Sequence, residues 1–254
     1  MFDALIASHS PSQLLFLAFS ALIAGLARGF SGFGAALIFM PLASAAIGPQ
    51  VAAPLLLVVD AFASIGMIPN AWPRADRHEV GTMAIGALIG VPVGTAVLAL
   101  ADPLVVRWII IAIVVLLLSL LMSGWRYHGR PKRTITIAVG AVAGLFSGGA
   151  QVGGPPVVAY WLSGAIPVTI VRANIVLYFA VSTLLTGITY AAGGLLVLAL
   201  IPLALITGPI YALGLYTGSR LFRFADDRIF RRVCYGLIAA AAVLGLPLLD
   251  PLTH

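Results

Sequence analysis

Charge is what this chain has least of. Only 9% of its 254 residues are Asp, Glu, Lys or Arg, against about 25% in a typical soluble domain. Cysteine is scarcer still. Cys234 stands alone in an apolar run, so no intramolecular disulfide can form, and the side chain reads as a small buried hydrophobe. The four histidines, His9, His78, His128 and His254, all fall at the termini or between apolar runs. No metal or cofactor site is expected. The opening stretch MFDALIASHSPSQLLF has no basic n-region and no clear A-x-A site, so a cleaved signal peptide is not expected. Long polar stretches are missing too, which leaves no room for a soluble domain.

What the chain has instead is apolar surface. Hydrophobic residues make up 61% of it, and its mean hydropathy is +1.12. The apolar segments run over 12–47, 51–70, 79–101, 105–123, 135–164, 168–190, 195–219 and 229–249. Six of them have the length of about 20 residues that one bilayer crossing needs. The first and fifth are longer, and glycine-rich stretches interrupt both. The net charge of +6 then reports basic loops on one side of a membrane rather than a nucleic-acid partner.

The interruptions repeat. Gly25, Gly29, Gly32 and Gly34 have the same spacing as Gly144, Gly148, Gln151 and Gly153, 119 residues later. Gly90-x-x-x-Gly94-Thr95 likewise matches Gly214-x-x-x-Gly218-Ser219. Two halves follow, residues 1–125 and 126–254. The basic residues decide their relative orientation. With every segment crossing once, the twelve loop cations divide six against six. With segments one and five read as hairpins that enter and return, eleven fall on one side and only Arg107 on the other. The positive-inside rule selects the second arrangement. The expected fold is an all-α integral membrane protein of two inverted repeats. Each repeat is a broken, re-entrant helical hairpin (12–47; 135–164) plus three transmembrane helices (51–70, 79–101, 105–123; 168–190, 195–219, 229–249). Both termini then face the periplasm or exterior of a cell inner membrane.

Non-helical backbone is tolerated at membrane depth only where protein or a water-filled cavity surrounds it. In secondary transporters, broken helices from two repeats meet near the midplane around the substrate. Here Pro155 and Pro156 in GGPPVV suit the first turn of a half-helix. The matching half-helix of repeat one is expected to begin near Phe33 or Gly34. Two helix N-termini would cradle a small anion. The candidate substrate residues are Arg28, Ser31, Gly32, Gly34, Ser147, Gln151, Gly153, Gly154 and Pro155 at the tips. Asn174 and Tyr178, one turn apart on the sixth segment, join them as candidate cavity-lining residues. A cation near mid-bilayer costs at least about 2.5–3.5 kcal/mol. Arg28 therefore requires either the substrate or Asp60, the only acidic residue deep in an apolar run. Asp60 is a candidate proton carrier or simply Arg28's partner. Trp72, Trp108, Trp125 and Trp161 fall near the expected membrane boundaries, as interfacial anchors do. The Gly90/Gly94 face would serve either a homodimer or the internal fold.

GLARGFSGFGAALIFMPL opening one half and GLFSGGAQVGGPPVVAYWL opening the other resemble the sulfite exporter TauE/SafE family, also called the toluene-sulfonate uptake permeases. VGGPP is the most specific piece, and the resemblance extends over nearly the whole chain. Ala35 and Ala36 depart from it, standing where many members carry glycine. The resemblance implies a secondary transporter of sulfite, sulfoacetate or other sulfonates.

Three other classes compete. GFSG at 29–32 fits the G-x-S-G pattern of intramembrane serine proteases, but such a serine needs a base within reach, and no histidine lies in an expected span. A non-transporting scaffold leaves Arg28, Asp60 and the repeated breaks without a purpose. An anion channel shares every feature above.

Overall fold

The computed structural model describes residues 10–31, 34–124, 127, 132–162, 167–221 and 227–249. Every regular element among them is helical. Half one comprises α1 (Pro11–Ser31), α2 (Ala35–Ile47), α3 (Pro49–Ser64), a 3₁₀ turn (Ile65–Met67), α4 (Ile68–Ala71), α5 (Arg77–Leu100) and α6 (Pro103–Ser123). Half two comprises α7 (Arg133–Ala150), α8 (Gly154–Trp161), α9 (Val168–Ala192), α10 (Leu200–Leu221), α11 (Asp227–Leu244) and a 3₁₀ turn (Pro247–Leu249). Seven stretches of helix are long and apolar enough to cross a bilayer: 11–29, 49–71, 77–100, 103–123, 133–150, 169–192 and 200–221. Both glycine-rich stretches interrupt their helices, between Ser31 and Ala35 and between Ala150 and Gly154.

Local chemistry sets the helix ends that hydropathy placed only loosely. Asp76 caps α5, its carboxylate accepting from the amides of His78 (3.0 Å) and Glu79 (3.1 Å), so the helix starts at Arg77 and takes His78 into its first turn. Asp102 does the same for α6 through Leu104 N (2.8 Å), and Pro103 occupies the first helical position. The start of α10 is displaced by five residues, expected from 195 but beginning at Leu200. Gly194 is left-handed (φ 70°), and the amides of Leu195 (2.8 Å) and Leu196 (3.4 Å) turn back to the Tyr190 carbonyl. Leu195 and Leu196 thus close the end of α9, while the carbonyls of Val197 and Leu198 accept from Leu200 (3.0 Å) and Ile201 (3.1 Å) at the start of α10.

Glycine faces bring the two halves together. Along α5, a Cβ at Gly86, Gly90 or Gly94 would strike the backbone of Ile137, Ala141 or Leu145 in α7. Gly140, Gly144 and Gly148 of α7 press in turn on Met83, Ala87 and Val91. The second seam is built the same way. Gly25 and Gly29 of α1 meet the backbone of Tyr211 and Leu215 in α10, and Gly214 and Gly218 meet Leu22 and Leu26. Small residues let helix backbones approach where no hydrophobic force distinguishes a neighbour from lipid. The Gly90/Gly94 face is therefore spent inside the chain. The buried side chains form two clusters, one among α1, α2, α3, α6, α10 and α11, the other among α5, α7, α8 and α9.

Trp161 departs from its expected anchoring role. It is fully buried and meets Tyr178 edge-on at 6.1 Å between ring centres. Trp72 and Trp108 are exposed, and Trp125 lies outside the described residues. Arg107, the one cation on the sparse side of the charge count, is buried in α6, and its Nη2 donates to the Gly245 carbonyl just past α11 (3.3 Å). A helix C-terminus favours a cation. Cys234 is buried, as its neighbourhood implied.

Candidate functional site

The breaks in the two hairpins open on one cavity of about 60 Å³. At the first break, Gly34 adopts a left-handed conformation (φ 101°) and caps α2. A residue with a side chain is disfavoured there. At the second, Gln151 is left-handed as well (φ 60°), the only such non-glycine residue among those described. Its amide returns to the Ser147 carbonyl (2.9 Å), and that of Val152 returns to Phe146 (3.2 Å), which closes the end of α7. Gly32 would be its counterpart in the sequence repeat. α8 then starts at Gly154 with Pro155 in its first turn. Proline has no N–H, so Gly153 and Gly154 are the amide donors at this helix mouth. A Cβ at Gly153 would collide with Ser147 Oγ and the Ala143 carbonyl.

The cavity brings together most of the residues that the sequence singles out. Arg28 and Gly34 line it from the first hairpin, and Asp60 from α3. Ser147, Gln151, Gly153, Gly154 and Pro155 line it from the second. The side chain of Ser31 and the whole of Gly32 lie outside the described residues. Asn174 and Tyr178 are not at the cavity. Both are fully buried, where Asn174 Oδ1 accepts from the Asp76 amide (2.7 Å) and Tyr178 directs its hydroxyl to the Gly140 carbonyl (3.5 Å). They sit too near the start of α9. The same helix face, continued one turn, carries Ser182, which does line the cavity with Phe179 and Thr183. The i, i+4, i+8 series Asn174, Tyr178, Ser182 was legible in the sequence; how deep along the helix the cavity falls was not.

Arg28 occupies the last turn of α1, where the helix dipole welcomes a cation. Its Nε meets Asp60 Oδ1 at 2.7 Å, and its Nη2 donates to Ser64 Oγ at 2.8 Å. Tyr211, from α10 in the other half, donates its hydroxyl to the same Asp60 oxygen at 2.6 Å. The ion pair is partly open to the cavity, with side-chain exposures of 15% for Arg28 and 25% for Asp60. Ser64 and Tyr211 carried no signal in the sequence, because only the packing of α3 and α10 brings them to Asp60. At the other end, Gln151 Nε2 donates to Tyr190 Oη (3.3 Å), which donates to the Gly148 carbonyl (2.8 Å). Among the described residues that line the cavity, Arg28 and Asp60 are the only charged ones, and they neutralise each other.

The site is thus a small polar chamber between two interrupted helices in a membrane protein, with one compensated ion pair and a surplus of uncharged donors. The model of the sulfite exporter TauE/SafE family matches residues 17–244, and the chain belongs to that family of membrane transporters. Neither a curated protein nor a solved structure matches the chain.

Proposed function

We propose that this protein is a secondary transporter of a compact sulfur-containing or organic anion, sulfite and small sulfonates being the leading class. The substrate occupies the chamber between the hairpin breaks and crosses by alternating access. One observation carries the reading. The first residues of α2 and α8, from opposite halves of the chain, line the same cavity as Arg28 and Asp60. Helix N-termini attract anions, and a volume of about 60 Å³ holds only a few waters' worth of matter.

Inverted repeats are part of this reading. The repeat equates α1 with α7 and α5 with α10, and the two seams pair α1 with α10 and α7 with α5. An operation exchanging the halves carries one seam onto the other, which supports rocking of two bundles about the chamber. Coupling to protons through Asp60 and an inner-membrane location with external termini complete the proposal.

Reconstitution in liposomes tests it. Loaded vesicles should accumulate sulfite or a small sulfonate against its gradient, as a channel cannot. Arg28→Ala should lower the rate at least tenfold with the protein still folded. A wild-type protein that moves none of these anions would sink the reading.

A further inference from the structure

α1 and α10 pack backbone to backbone, so that a Cβ at Gly25 would strike the Tyr211 carbonyl. Arg28, three residues on from Gly25, and Tyr211 are thus fixed to one another by the seam. α3, which carries Asp60, is held differently. It stands apart from α10 across a groove of about 710 Å³, lined by apolar residues such as Val58, Leu200 and Ile201, and by Gly208. The groove opens where Phe62, Leu198 and Leu205 are exposed. Tyr211 also lines it, is 1% exposed, and directs its hydroxyl away from it to Asp60 Oδ1 (2.6 Å), the oxygen that Arg28 Nε meets at 2.7 Å. Arg28 from α1 and Tyr211 from α10 are the charged and titratable groups that face Asp60. The other described residues around the chamber are uncharged.

The other seam has no such tie. The repeat equates Gly25 with Gly144 and Gly214 with Gly90, so the counterparts of Arg28 and Tyr211 are Ser147 and Ala87. There, a Cβ at Gly144 would meet the Cα of Ala87, and no hydroxyl or charge crosses. A hydrogen bond that a glycine seam needed for packing would recur at both. We infer that Tyr211 is a positioning residue for transport: with Arg28 it forms a releasable latch on Asp60, through which the charge of Asp60 controls the movement of α3 against the α1–α10 seam. The inference rests on the proton-coupled transport proposed above. An ionised Asp60 accepts from both partners, and a charged acceptor makes the stronger hydrogen bond. When Asp60 takes one proton from water in the chamber it becomes a neutral acid, and its hold on Arg28 and on Tyr211 weakens together. Tyr211 keeps its own proton throughout. α3 can then move into the groove, where no protein side chain has to be displaced. Return of the proton to water closes the latch again.

Tyr211→Phe keeps the ring and removes only the hydroxyl. The readout is a ratio, uptake under an imposed pH gradient over uptake at equal pH, in liposomes offered sulfite or methanesulfonate. A purely structural hydroxyl would change both rates alike and leave the ratio where it was. In Tyr211→Phe the ratio should fall to about one, the loss expected when a hydrogen bond to a charged acceptor is removed. Gly208→Leu makes the converse test. A Cβ at Gly208 has nothing within 4 Å, so the new side chain fills the groove without a collision. It should slow uptake severalfold and leave the ratio unchanged. A wild-type ratio in Tyr211→Phe would overturn this inference alone, and so would wild-type uptake by Gly208→Leu, which decides by itself if Tyr211→Phe does not fold. If the wild type moves an anion without any gradient dependence, proton coupling falls and the latch falls with it. If it moves neither anion, the transport reading falls as a whole.

Discussion

An arginine in the last turn of α1 would be costly inside a bilayer without Asp60 at 2.7 Å. That pairing alone does not make the residues functional. Breaking a buried ion pair from one side typically costs about 3–5 kcal/mol, whereas replacing both partners by apolar residues is often neutral or better. The distinction gives a test. Asp60→Asn should destabilise the protein and remove the dependence of uptake on an imposed pH gradient. The double change Arg28→Met with Asp60→Leu should recover the melting temperature but transport nothing. Full transport by the double variant would reduce the pair to a structural device, and unaltered gradient dependence in Asp60→Asn would reject proton coupling. Arg107 provides the contrast: more deeply buried than Arg28, it is held by the Gly245 carbonyl outside the chamber, so it is a packing cation.

At the scale of the helices, glycine has two kinds of address. Gly90 lies where a Cβ would drive into the Ala141 carbonyl and the Leu145 amide, both backbone atoms that cannot swing aside. Gly81, on the same helix, has nothing within 4 Å of a Cβ. Gly81→Ala should therefore be neutral or stabilise α5, since glycine in a helix interior costs about 0.5–1 kcal/mol relative to alanine. Gly90→Ala must push α5 and α7 apart and should lower the melting temperature of the detergent-solubilised protein by several degrees. Equal effects at the two positions would mean that the seam is not close-packed. The x-x-x spacing was visible in the sequence. That it seals the two halves of one chain, and does not bind a second copy, follows from which helices it joins. The break at Gln151 is of the same order: the repeat showed a glycine replaced there, but only the backbone reveals that the position still takes a left-handed angle.

For the whole molecule, the charge distribution makes a prediction about orientation. An inverted repeat puts residues 130 and 226, which fall between the expected spans, on one face of the membrane. Single cysteines introduced there, in a Cys234→Ala background, should react with an impermeant thiol reagent from the same side. Labelling from opposite sides would overturn the odd number of crossings per half, and the inverted architecture with it. The Arg107 exception weakens nothing in this count, because that side chain is buried against the end of another helix and is not in a loop.

Hydropathy and repetition acted locally, so the sequence by itself determined a great deal: an all-helical membrane chain, interruptions within its first and fifth apolar segments, the family, and Arg28 with Asp60 as the residues to watch. Each of these depends on neighbours a few positions apart or on a spacing that can be counted. Tertiary structure alone decided which side chains share the chamber. Tyr211 reaches Asp60 across 151 residues of sequence, Asn174 and Tyr178 stop a turn short of the cavity, and Ser182 arrives. The reason is physical. Period gives a residue's bearing around its helix, but its depth along the axis is set by where glycine seams let the helices come to rest against one another.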